Sequence, residues 1–312
     1  MKISEALAQA KEILALKGVS SGLDSLILLA HALSFSKEQV VFNPQLQLKE
    51  TQQKKFFDLV TRRAEREPVS HLIGKREFFG EDFLVNRDVL DPRPDSETLV
   101  EAVLESFSKE NGASESFSPK NSEQKFLSEI NVASPFFLKR TFKILELGVG
   151  SGCLIITLLN TYKNSVGTAV DISKKALDVA QKNSEKHRVS SRLKLLESDL
   201  FLALNPEEKF DLIISNPPYI PAAEIEKLEP EVRIYEPRAA LDGGAKGLDF
   251  YLRIAMEAKK FLTDYGKIFL EIGFGQKEEV VKIFVQQKFS LIGSSFDLGG
   301  VERILEFSST AQ

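Results

Sequence analysis

The sequence predicts an α/β protein with a doubly wound, Rossmann-like and mostly parallel seven-stranded sheet. A small N-terminal helical bundle and a linking β-hairpin are predicted to precede this sheet. Short β-branched runs alternate with helical patterns from Lys143 onward, which is typical of a parallel sheet covered by helices. The first run ends in a glycine-rich loop at 148–152, and the fourth ends in Asn216-Pro217-Pro218-Tyr219. Because ligands bind beyond the carboxyl ends of parallel strands, both loops are candidate binding loops.

Composition places the chain among soluble globular proteins, and its length predicts two domains or one large domain with an appendage. It has 312 residues, of which 43% are apolar and 28% are charged, and no apolar run is long enough to cross a membrane. The single cysteine, Cys153, and three scattered histidines predict neither an internal disulfide nor a metal site, and they fit a cytoplasmic protein. The net charge of −4 argues mildly against a large nucleic-acid footprint.

The N-terminal quarter of the chain has the spacing of amphipathic helices. Ile3, Leu7 and Leu14 recur at helical spacing, and the segment Ser21–Asp24 has the spacing of a capping box ahead of a second apolar run. Residues 1–75 are therefore predicted to form a helical bundle. Such a bundle is either a substrate-docking module, which we adopt as the hypothesis, or an appendage that only packs on the main domain.

A β-hairpin linker is predicted for residues 76–95, where apolar residues alternate around a glycine. Asp91-Pro92-Arg93-Pro94 ends this hairpin stiffly, since each proline restricts itself and the residue before it. A helix is expected from Ser96, at the start of a catalytic domain at 96–312. Within that domain, residues 108–135 are rich in Ser, Asn, Lys and Glu and lack periodicity, which predicts a flexible surface loop.

The alternating pattern of the catalytic domain predicts its elements one by one. The predicted strands are Lys143–Leu147, Val166–Asp171, Leu193–Glu197, Phe210–Ser215 and Gly266–Ile272. The predicted helices lie near 151–161, 173–187, 247–262 and 276–287. The two apolar runs between Ser290 and Phe307 lack an intervening helix and predict an antiparallel hairpin on the sheet edge. Five parallel strands followed by such a hairpin are the plan of class I methyltransferases, by analogy of fold alone.

The glycine-rich loop, Gly148-Val149-Gly150-Ser151-Gly152, is the candidate donor site. Its glycines allow a tight turn and a close approach of a ligand to the backbone. Position 153 is a cysteine instead of the third glycine of the dinucleotide fingerprint, and the Lys-Ser/Thr ending of a P-loop is absent from this loop. The loop therefore disfavours NAD and ATP, whereas S-adenosylmethionine, with S-adenosylhomocysteine as its product, fits.

Two acidic positions extend the predicted donor site. Asp171 ends the second strand, where a carboxylate can accept hydrogen bonds from both ribose hydroxyls. Asp199 follows the third strand and can accept a hydrogen bond from the adenine amino group, while Leu200 can pack on the ring. Either aspartate alone would more commonly be a helix cap or a turn residue. Their positions at the ends of successive strands, beside the glycine loop, favour the binding interpretation.

The turn Asn216-Pro217-Pro218-Tyr219 is the candidate acceptor site. Its two prolines lack backbone donors and fix φ, so the Asn216 side-chain oxygen and the Pro217 carbonyl can accept both hydrogens of an –NH2 group. Tyr219 can stack on a planar amide or base. This tetrapeptide is typical of methyltransferases that act on a planar, weakly basic nitrogen, and catalysis there would consist mainly of orientation. Taken alone, the turn could equally be a structural link between strand and loop.

Several longer segments carry a resemblance to a known family. Besides the two loops, they are Glu77–Gly80, Pro92–Glu97, Ala169–Ser173, Phe210–Pro221, Glu236–Leu241 and Glu271–Gln276. On these segments the chain resembles the protein-(glutamine-N5) methyltransferases that modify peptide chain release factors. The resemblance runs from Glu67 to Arg303 and is looser over the N-terminal helices. The chain departs from the usual residues of that family at His71 and Asp91.

The resemblance implies an S-adenosylmethionine-dependent enzyme that methylates the side-chain amide of the glutamine in a Gly-Gly-Gln motif of release factors. The implied donor-binding residues are Gly148, Val149, Gly150, Ser151, Gly152, Asp171, Asp199, Leu200 and Asn216. The implied catalytic residues are Asn216, Pro217 and Tyr219, and the implied substrate-binding residues are these three with Pro218, Arg93 and Glu97. The expected partner is a release factor, with neither nucleic acid nor membrane, and the expected oligomeric state is a monomer.

Two rival acceptors and one rival class stay open. A sister enzyme acting on a glutamine of a large-subunit ribosomal protein would share both the chemistry and the tetrapeptide. An amino methyltransferase of adenine or guanine in nucleic acid would share the tetrapeptide, but the glutamates between Glu224 and Glu236 predict an acidic rim that repels phosphate. The intact glycines, Asp171 and the tetrapeptide argue against a non-catalytic protein that only binds the donor.

Overall fold

The computed structural model describes residues 1–109 and 141–309, and the chain divides into two compact units. The first unit comprises Met1–Lys75, Val85–Arg87 and Leu228–Glu236, and the second comprises Arg76–Leu84, Asp88–Lys227 and Pro237–Gln312. The predicted flexible loop at 108–135 lies outside the described residues, except for 108 and 109, which end a helix. Among the described residues, none of the helices combines the length and the apolar character that crossing a membrane requires.

The first unit is a bundle of helices. They are α1 Ile3–Leu16, α2 Gly22–Leu33, α3 Lys37–Phe42, α4 Glu50–Ala64 and α5 Val69–Ile73. Apolar residues at helical spacing, such as Ile3 and Leu14, are fully buried in its core, and burying each such side chain contributes about 1.5–3 kcal/mol. The expected capping box at Ser21 is wrong, because its side chain makes no capping hydrogen bond. Asp24 instead accepts a hydrogen bond from Arg63 Nε at 2.8 Å.

Strands and helices alternate along the rest of the chain. In order they are β1 Lys75–Phe78, β2 Glu81–Leu84, α6 Pro94–Lys109, β3 Phe142–Leu147, α7 Cys153–Thr161, β4 Ser165–Asp171, α8 Lys174–Lys186, β5 Leu193–Glu197, β6 Phe210–Ser215, α9 Pro230–Tyr235, α10 Asp249–Ala258, β7 Leu262–Glu271, α11 Lys277–Gln286, β8 Ser290–Phe296 and β9 Glu302–Ser308. The short helix α9 belongs to the first unit. β1 and β2 form the predicted hairpin.

The main sheet has seven strands in the order β5-β4-β3-β6-β7-β9-β8. The strands from β5 to β7 pair in parallel, and β9 pairs antiparallel with both of its neighbours. This topology confirms the predicted class I methyltransferase fold with its terminal hairpin. β7 begins at Leu262, four residues before the predicted start, because exposed polar residues at 264 and 265 interrupt the apolar pattern there.

Both faces of the sheet are covered by helices, which explains why its central strands are apolar without alternation. Ile144 and Leu212 pack with residues of α6, α7 and α8, whereas their neighbours Leu145 and Ile213 pack with residues of α10 and α11. β6 is buried at every residue. The loops that leave the carboxyl ends of these strands are therefore supported from both sides.

Two starting points of elements differ from the sequence-based expectation. α6 begins at Pro94 and not at Ser96, because a proline lacks only the N–H that the first helical turn leaves unpaired. The segment Leu228–Glu236, which the sequence-based boundaries place in the catalytic domain, clusters with the helical unit. Nothing in the local pattern of that segment indicates this, since its partners lie far away in sequence.

Candidate active site

A cavity of about 400 Å³ lies at the carboxyl ends of the parallel strands of the second unit. Each of four neighbouring strands contributes a lining residue: Gly148 follows β3, Asp171 ends β4, Asp199 follows β5 and Asn216 follows β6. The volume falls within the usual range of small-molecule sites. Its place is the crevice where open α/β sheets bind their ligands.

Most of the residues predicted for the site line this cavity. They are Arg93, Gly148, Val149, Gly150, Ser151, Asp171, Asp199, Leu200, Asn216 and Pro218. Four described residues of the predicted set, Gly152, Pro217, Tyr219 and Glu97, do not line it. Glu97 instead accepts a hydrogen bond from the backbone N–H of Phe79 at 2.9 Å, which ties the start of α6 to the hairpin.

The glycine loop depends on a backbone conformation that other residues rarely adopt. Gly148, Gly150 and Gly152 all have positive φ, at 76°, 52° and 81°. A Cβ on Gly152 would lie 3.0 Å from Ile156 Cδ1 and 3.4 Å from Ala180 Cβ. Gly152 therefore permits the close packing of α7 on α8, whereas Gly148 and Gly150 present their backbone to the cavity.

Asp171 connects the glycine loop to the end of β4. Its Oδ2 accepts a hydrogen bond from Gly150 N at 3.0 Å, and its Oδ1 accepts one from Ser173 N at 2.9 Å. Burial raises the pKa of this carboxyl, and the two backbone hydrogen bonds act in the opposite direction. Each carboxylate oxygen keeps a second lone pair, so Asp171 can accept from two further hydroxyls in the cavity.

Asp199 has a partner that the sequence analysis did not identify. Its Oδ1 lies 2.7 Å from Arg253 Nη2, and the guanidinium carbon of Arg253 lies 5.7 Å from the centre of the Phe250 ring. All three side chains line the cavity. Leu200 has a left-handed φ of 51°, which is uncommon outside glycine, and its carbonyl accepts a hydrogen bond from Ser198 Oγ at 2.8 Å. Phe250 and Arg253 lie one helical turn apart on α10, a spacing that alone gives no functional signal.

Asn216 is held by a chain of side-chain hydrogen bonds that reaches β7. Asn216 Nδ2 donates to Ser96 Oγ at 3.0 Å, and Ser96 Oγ donates to Glu271 Oε2 at 2.5 Å. Tyr219 Oη donates to the other oxygen of Glu271 at 3.4 Å. The sequence analysis did not assign roles to Ser96 and Glu271. A signal existed, since Glu271 is an ionisable residue that directly follows the apolar run Ile268–Leu270.

Burial raises the pKa of Glu271 to about 7, because Glu271 is only 1% exposed. The nearby Asp95 carboxylate raises this pKa further, while Ser96, Arg303 and Tyr219 lower it. Burial also raises the pKa of the Tyr219 hydroxyl, with Glu271 acting in the same direction. Glu271 can therefore lose or gain its proton near neutral pH, whereas Tyr219 keeps its proton and stays a donor.

A second buried glutamate supports the floor of the cavity. Glu146 Oε2 accepts a hydrogen bond from Ile155 N at 3.2 Å, in the first turn of α7. Burial raises the pKa of Glu146 well above its usual value. Burial likewise raises the pKa of the nearby Cys153 thiol, so this cysteine is not an activated nucleophile.

A glycine-containing turn packs against the backbone of the acceptor turn. A Cβ on Gly243 would collide with the carbonyl oxygen of Pro218, and one on Gly247 would collide with that of Tyr219. Gln276 Nε2 donates to the same Tyr219 carbonyl at 2.9 Å. The Asn216–Tyr219 turn is thus fixed by close backbone packing as well as by the rigidity of its prolines.

Sequence comparison agrees with this architecture. The profile of the PrmC N-terminal domain matches residues 5–74, and that of the methyltransferase small domain matches residues 126–229. A release factor glutamine methyltransferase from Agrobacterium fabrum is 36% identical to this chain, over 98% of this chain and 96% of its own length. The chain belongs to the release factor glutamine methyltransferase family. This membership confirms the resemblance that the sequence motifs indicate.

Other relatives of this family member differ in length. A release factor glutamine methyltransferase from Geobacter sulfurreducens is 38% identical over 79% of this chain and 75% of its own length. A bifunctional methyltransferase from Rickettsia conorii is 37% identical over 98% of this chain, which spans only 57% of that protein. The chain thus spans little more than half of the length of the bifunctional relatives. Among solved structures, a ribosomal protein L11 methylase from Lactobacillus delbrueckii subsp. bulgaricus aligns with 61% of this chain and 81% of its own chain. The sequence identity is 18% and the TM-score is 0.41, which is too low to bear on function.

In this release factor glutamine methyltransferase family member, the predicted acidic rim is not a region of free negative charge. Four of its five glutamates pair with a cation: Glu224 with Lys227 at 2.7 Å, Glu226 with Arg238 at 3.2 Å, Glu229 with Arg66 at 2.8 Å and Glu231 with Arg63 at 3.0 Å. Glu236 is buried. Ion pairing therefore weakens the predicted repulsion of phosphate by this segment.

Proposed function

We propose that this protein transfers a methyl group from S-adenosylmethionine to the side-chain amide nitrogen of the glutamine in the Gly-Gly-Gln motif of a peptide chain release factor. The observation that most supports this proposal is the orientation of Asn216. Its Nδ2 is engaged by Ser96, so its Oδ1 is the atom left to accept a hydrogen bond from an N–H group. The same cavity wall contains the glycine loop and Asp171.

The residues present fit the donor. The backbone of Gly148 and Gly150 can approach its methionine portion, Asp171 can accept from the ribose hydroxyls, and Leu200 can pack on the adenine. Phe250 adds an aromatic face, and Asp199 shares its acceptor capacity between Arg253 and the adenine amino group. When bound, S-adenosylmethionine supplies an electrophilic methyl group on a sulfonium whose sulfur retains the bonding electrons after transfer.

The acceptor turn compensates for the weak nucleophilicity of an amide nitrogen. The amide lone pair is delocalised into its carbonyl, so the turn must hold the –NH2 group with its lone pair facing the methyl group. Asn216 Oδ1 and the Pro217 carbonyl would accept the two N–H bonds, and one of these protons is released to solvent after the C–N bond forms. Orientation of this kind can account for several kcal/mol of rate enhancement, with about a 100-fold loss for a displacement of about 1 Å.

The helical unit is proposed to dock the protein substrate. Its match to the PrmC N-terminal domain supports a role shared with release factor methyltransferases. A chain that carries both a substrate-docking unit and a turn that accepts one –NH2 group suits a protein acceptor better than a free amino acid. The rival acceptors are a glutamine of a large-subunit ribosomal protein and an amino group of a nucleic-acid base.

A direct assay separates these acceptors. The protein is incubated with S-adenosylmethionine and, in parallel, with a release factor, a large-subunit ribosomal protein and a DNA duplex, and each product is analysed by intact-mass and fragmentation mass spectrometry. We expect one methyl group on the Gly-Gly-Gln glutamine of the release factor and none on a release factor whose motif glutamine is replaced by alanine. Methylation of only the duplex or only the ribosomal protein would refute the proposed substrate.

A further inference from the structure

We propose that Glu271 is a positioning residue that acts through Ser96 and decides which end of the Asn216 amide faces the acceptor glutamine. This inference rests on the proposed function of the cavity and gives a role to Glu271, to which the resemblance assigns none. It also makes the reactive orientation of Asn216 depend on the ionisation of a buried carboxyl.

The three side chains form one continuous chain of hydrogen bonds, in which Ser96 and Glu271 are buried. Glu271 is 1% exposed and Ser96 is 3% exposed, so solvent does not compete for these bonds. The bond from Ser96 Oγ to Glu271 Oε2 is 2.5 Å long, as expected for a hydroxyl that donates to a charged acceptor. The bond from Asn216 Nδ2 to Ser96 Oγ is 3.0 Å long. Asn216 directly follows β6, so this chain of hydrogen bonds ends at the acceptor turn.

Ionised Glu271 fixes the direction of every bond in the chain. A carboxylate can only accept, so Ser96 must give it the single hydroxyl proton. Ser96 can then only accept from Asn216, and only Nδ2 of the amide can donate to it. Oδ1 is therefore turned to the acceptor glutamine, where an N–H of the substrate requires an acceptor.

Protonated Glu271 removes this constraint. It can donate to Ser96, whose own proton is then free to turn towards Asn216 and to bind Oδ1. The amide then turns its NH2 group towards the NH2 group of the substrate, and two donors face each other. The reactive orientation is consequently tied to the carboxylate form of Glu271.

The groups around Glu271 bring its change of protonation into an accessible pH range. Tyr219 donates to Oε1, and the hydroxyl of Tyr251 on α10 donates to the backbone carbonyl of Glu271. The charged groups that face it are Asp95 on α6 and Arg303 on β9, and these two are themselves paired at 3.2 Å. Cys153 on α7 faces it as a neutral thiol. Burial brings the pKa of Glu271 to about 7, so its two forms exchange within the pH range of an ordinary assay.

The test compares pH profiles of methyl transfer at saturating donor and saturating release factor. Wild type, Glu271→Gln and Ser96→Ala are assayed on a Gly-Gly-Gln release factor across roughly pH 5.5–8.5, a range that brackets a group titrating near 7. We expect the wild-type kcat to rise about tenfold per pH unit on the acidic side and to level off above about 7. Both variants should lose this acidic limb and have kcat at pH 8 lowered about tenfold or more, with donor Kd changed less than about threefold.

Glu306→Gln is the matched control. Glu306 lies on the adjacent strand β9 and accepts a hydrogen bond from Ser106 of α6 at 2.5 Å, as Glu271 does from Ser96. Ser96 lines the cavity, whereas Ser106 does not. This variant should keep the acidic limb of the wild type. If Glu271→Gln does not fold, as donor binding would reveal, Ser96→Ala carries the same test.

The possible failures are distinguishable. If the wild type methylates the release factor and both Ser96→Ala and Glu271→Gln keep the wild-type acidic limb, the positioning role of Glu271 is overturned. If the wild type methylates only another acceptor, the proposed substrate fails, and the pH profiles of the same variants on that acceptor still test the positioning role.

Discussion

Arg63 pairs with Glu231, although 168 residues separate them in the chain. Arg63 Nη1 lies 3.0 Å from Glu231 Oε1, and Arg63 Nε donates to Asp24 at 2.8 Å in the same buried cluster. Glu231 lies on α9, in the segment Leu228–Glu236. This segment belongs to the helical unit, although the residues before and after it in sequence belong to the catalytic unit. One guanidinium therefore links two helices of the bundle to the segment that follows the acceptor turn in sequence.

Replacing Arg63 should destabilise the protein strongly. Arg63→Ala leaves the buried carboxylate of Asp24 without its cation and releases Glu231, and breaking a buried pair in this way costs about 3–5 kcal/mol. The free energy of unfolding is measured by urea titration. The control is Arg62→Ala, because the Arg62 side chain is 50% exposed and its pair with Glu67 should contribute at most about 1 kcal/mol. Equal losses for the two variants would contradict the role of the buried cluster.

Asp171→Asn should weaken donor binding and leave the chemical step nearly unchanged. Asparagine keeps the size of the side chain but removes the charged acceptor, and hydrogen bonds to a charged group contribute about 1.5–3 kcal/mol. We therefore expect the Kd of S-adenosylmethionine to rise about 10- to 100-fold by isothermal titration calorimetry. Asp178→Asn, at an exposed position on α8, is the control and should bind as the wild type does. An unchanged Kd for Asp171→Asn would remove this residue from the donor site.

Asn216→Ala should show the opposite behaviour. It removes the oxygen that we propose orients the acceptor amide, so turnover should fall about 100-fold or more while the donor Kd stays within about threefold. Single-turnover methylation and donor calorimetry measure the two quantities separately. Asn205→Ala, in an exposed turn before β6, is expected to retain full activity. Methylation by Asn216→Ala at the wild-type rate would show that the acceptor is held elsewhere.

Gly247→Ala tests whether close backbone packing holds the acceptor turn. The new Cβ would collide with the Tyr219 carbonyl oxygen, and Gly247 has a positive φ of 72°. We expect kcat to fall at least tenfold, since the turn must shift by about 1 Å to relieve this collision. Gly300→Ala is a matched control, because Gly300 has a similar φ of 76° but no atom within 4 Å of its Cβ position. If both variants lose the same activity, backbone strain and not the collision is responsible.

The parts of the site that follow from strand order could be predicted from the sequence. Apolar runs identify the strands, parallel pairing aligns their carboxyl ends, and the residues that follow, such as Gly148, Asp171 and Asn216, then line one cavity. This inference needs only local periodicity and one general rule of topology. It therefore succeeds wherever a functional residue directly follows a buried strand.

The partners of those residues could not be predicted in the same way. The Ser96–Glu271 bond and the Arg63–Glu231 pair join residues 175 and 168 positions apart, and no local pattern encodes such pairings. The predicted acidic rim illustrates this limit. Glu229 and Glu231 pair with arginines of the N-terminal bundle, which the local sequence does not indicate. Asp24 is a second example. Its spacing from Ser21 predicts a capping box, but it pairs instead with Arg63 on another helix.

The stability of the protein should depend on pH through Glu271, with a sign opposite to that of most carboxyl groups. Its pKa is about 7 in the folded state against an ordinary value of 4.5, so the folded state binds the proton more tightly. The resulting stabilisation is fully present below about pH 4.5 and is lost as the pH rises through about 7. The difference between the two pKa values corresponds to about 3 kcal/mol.

Glu271→Gln makes this contribution measurable, because glutamine is neutral at every pH and avoids the cost of a buried charge. Relative to wild type, the variant should gain about 3 kcal/mol of unfolding free energy between pH 4.5 and pH 8, measured by urea titration at each pH. Glu306→Gln should instead lose unfolding free energy at neutral pH. Glu306 lies 3.0 Å from Lys267, and its neutralisation breaks a nearly buried ion pair. A constant difference between Glu271→Gln and wild type across this range would mean that Glu271 does not change its protonation on folding. The carboxylate form that orients Asn216 would then already be present at acidic pH, and the acidic limb predicted for methyl transfer would have to come from another group.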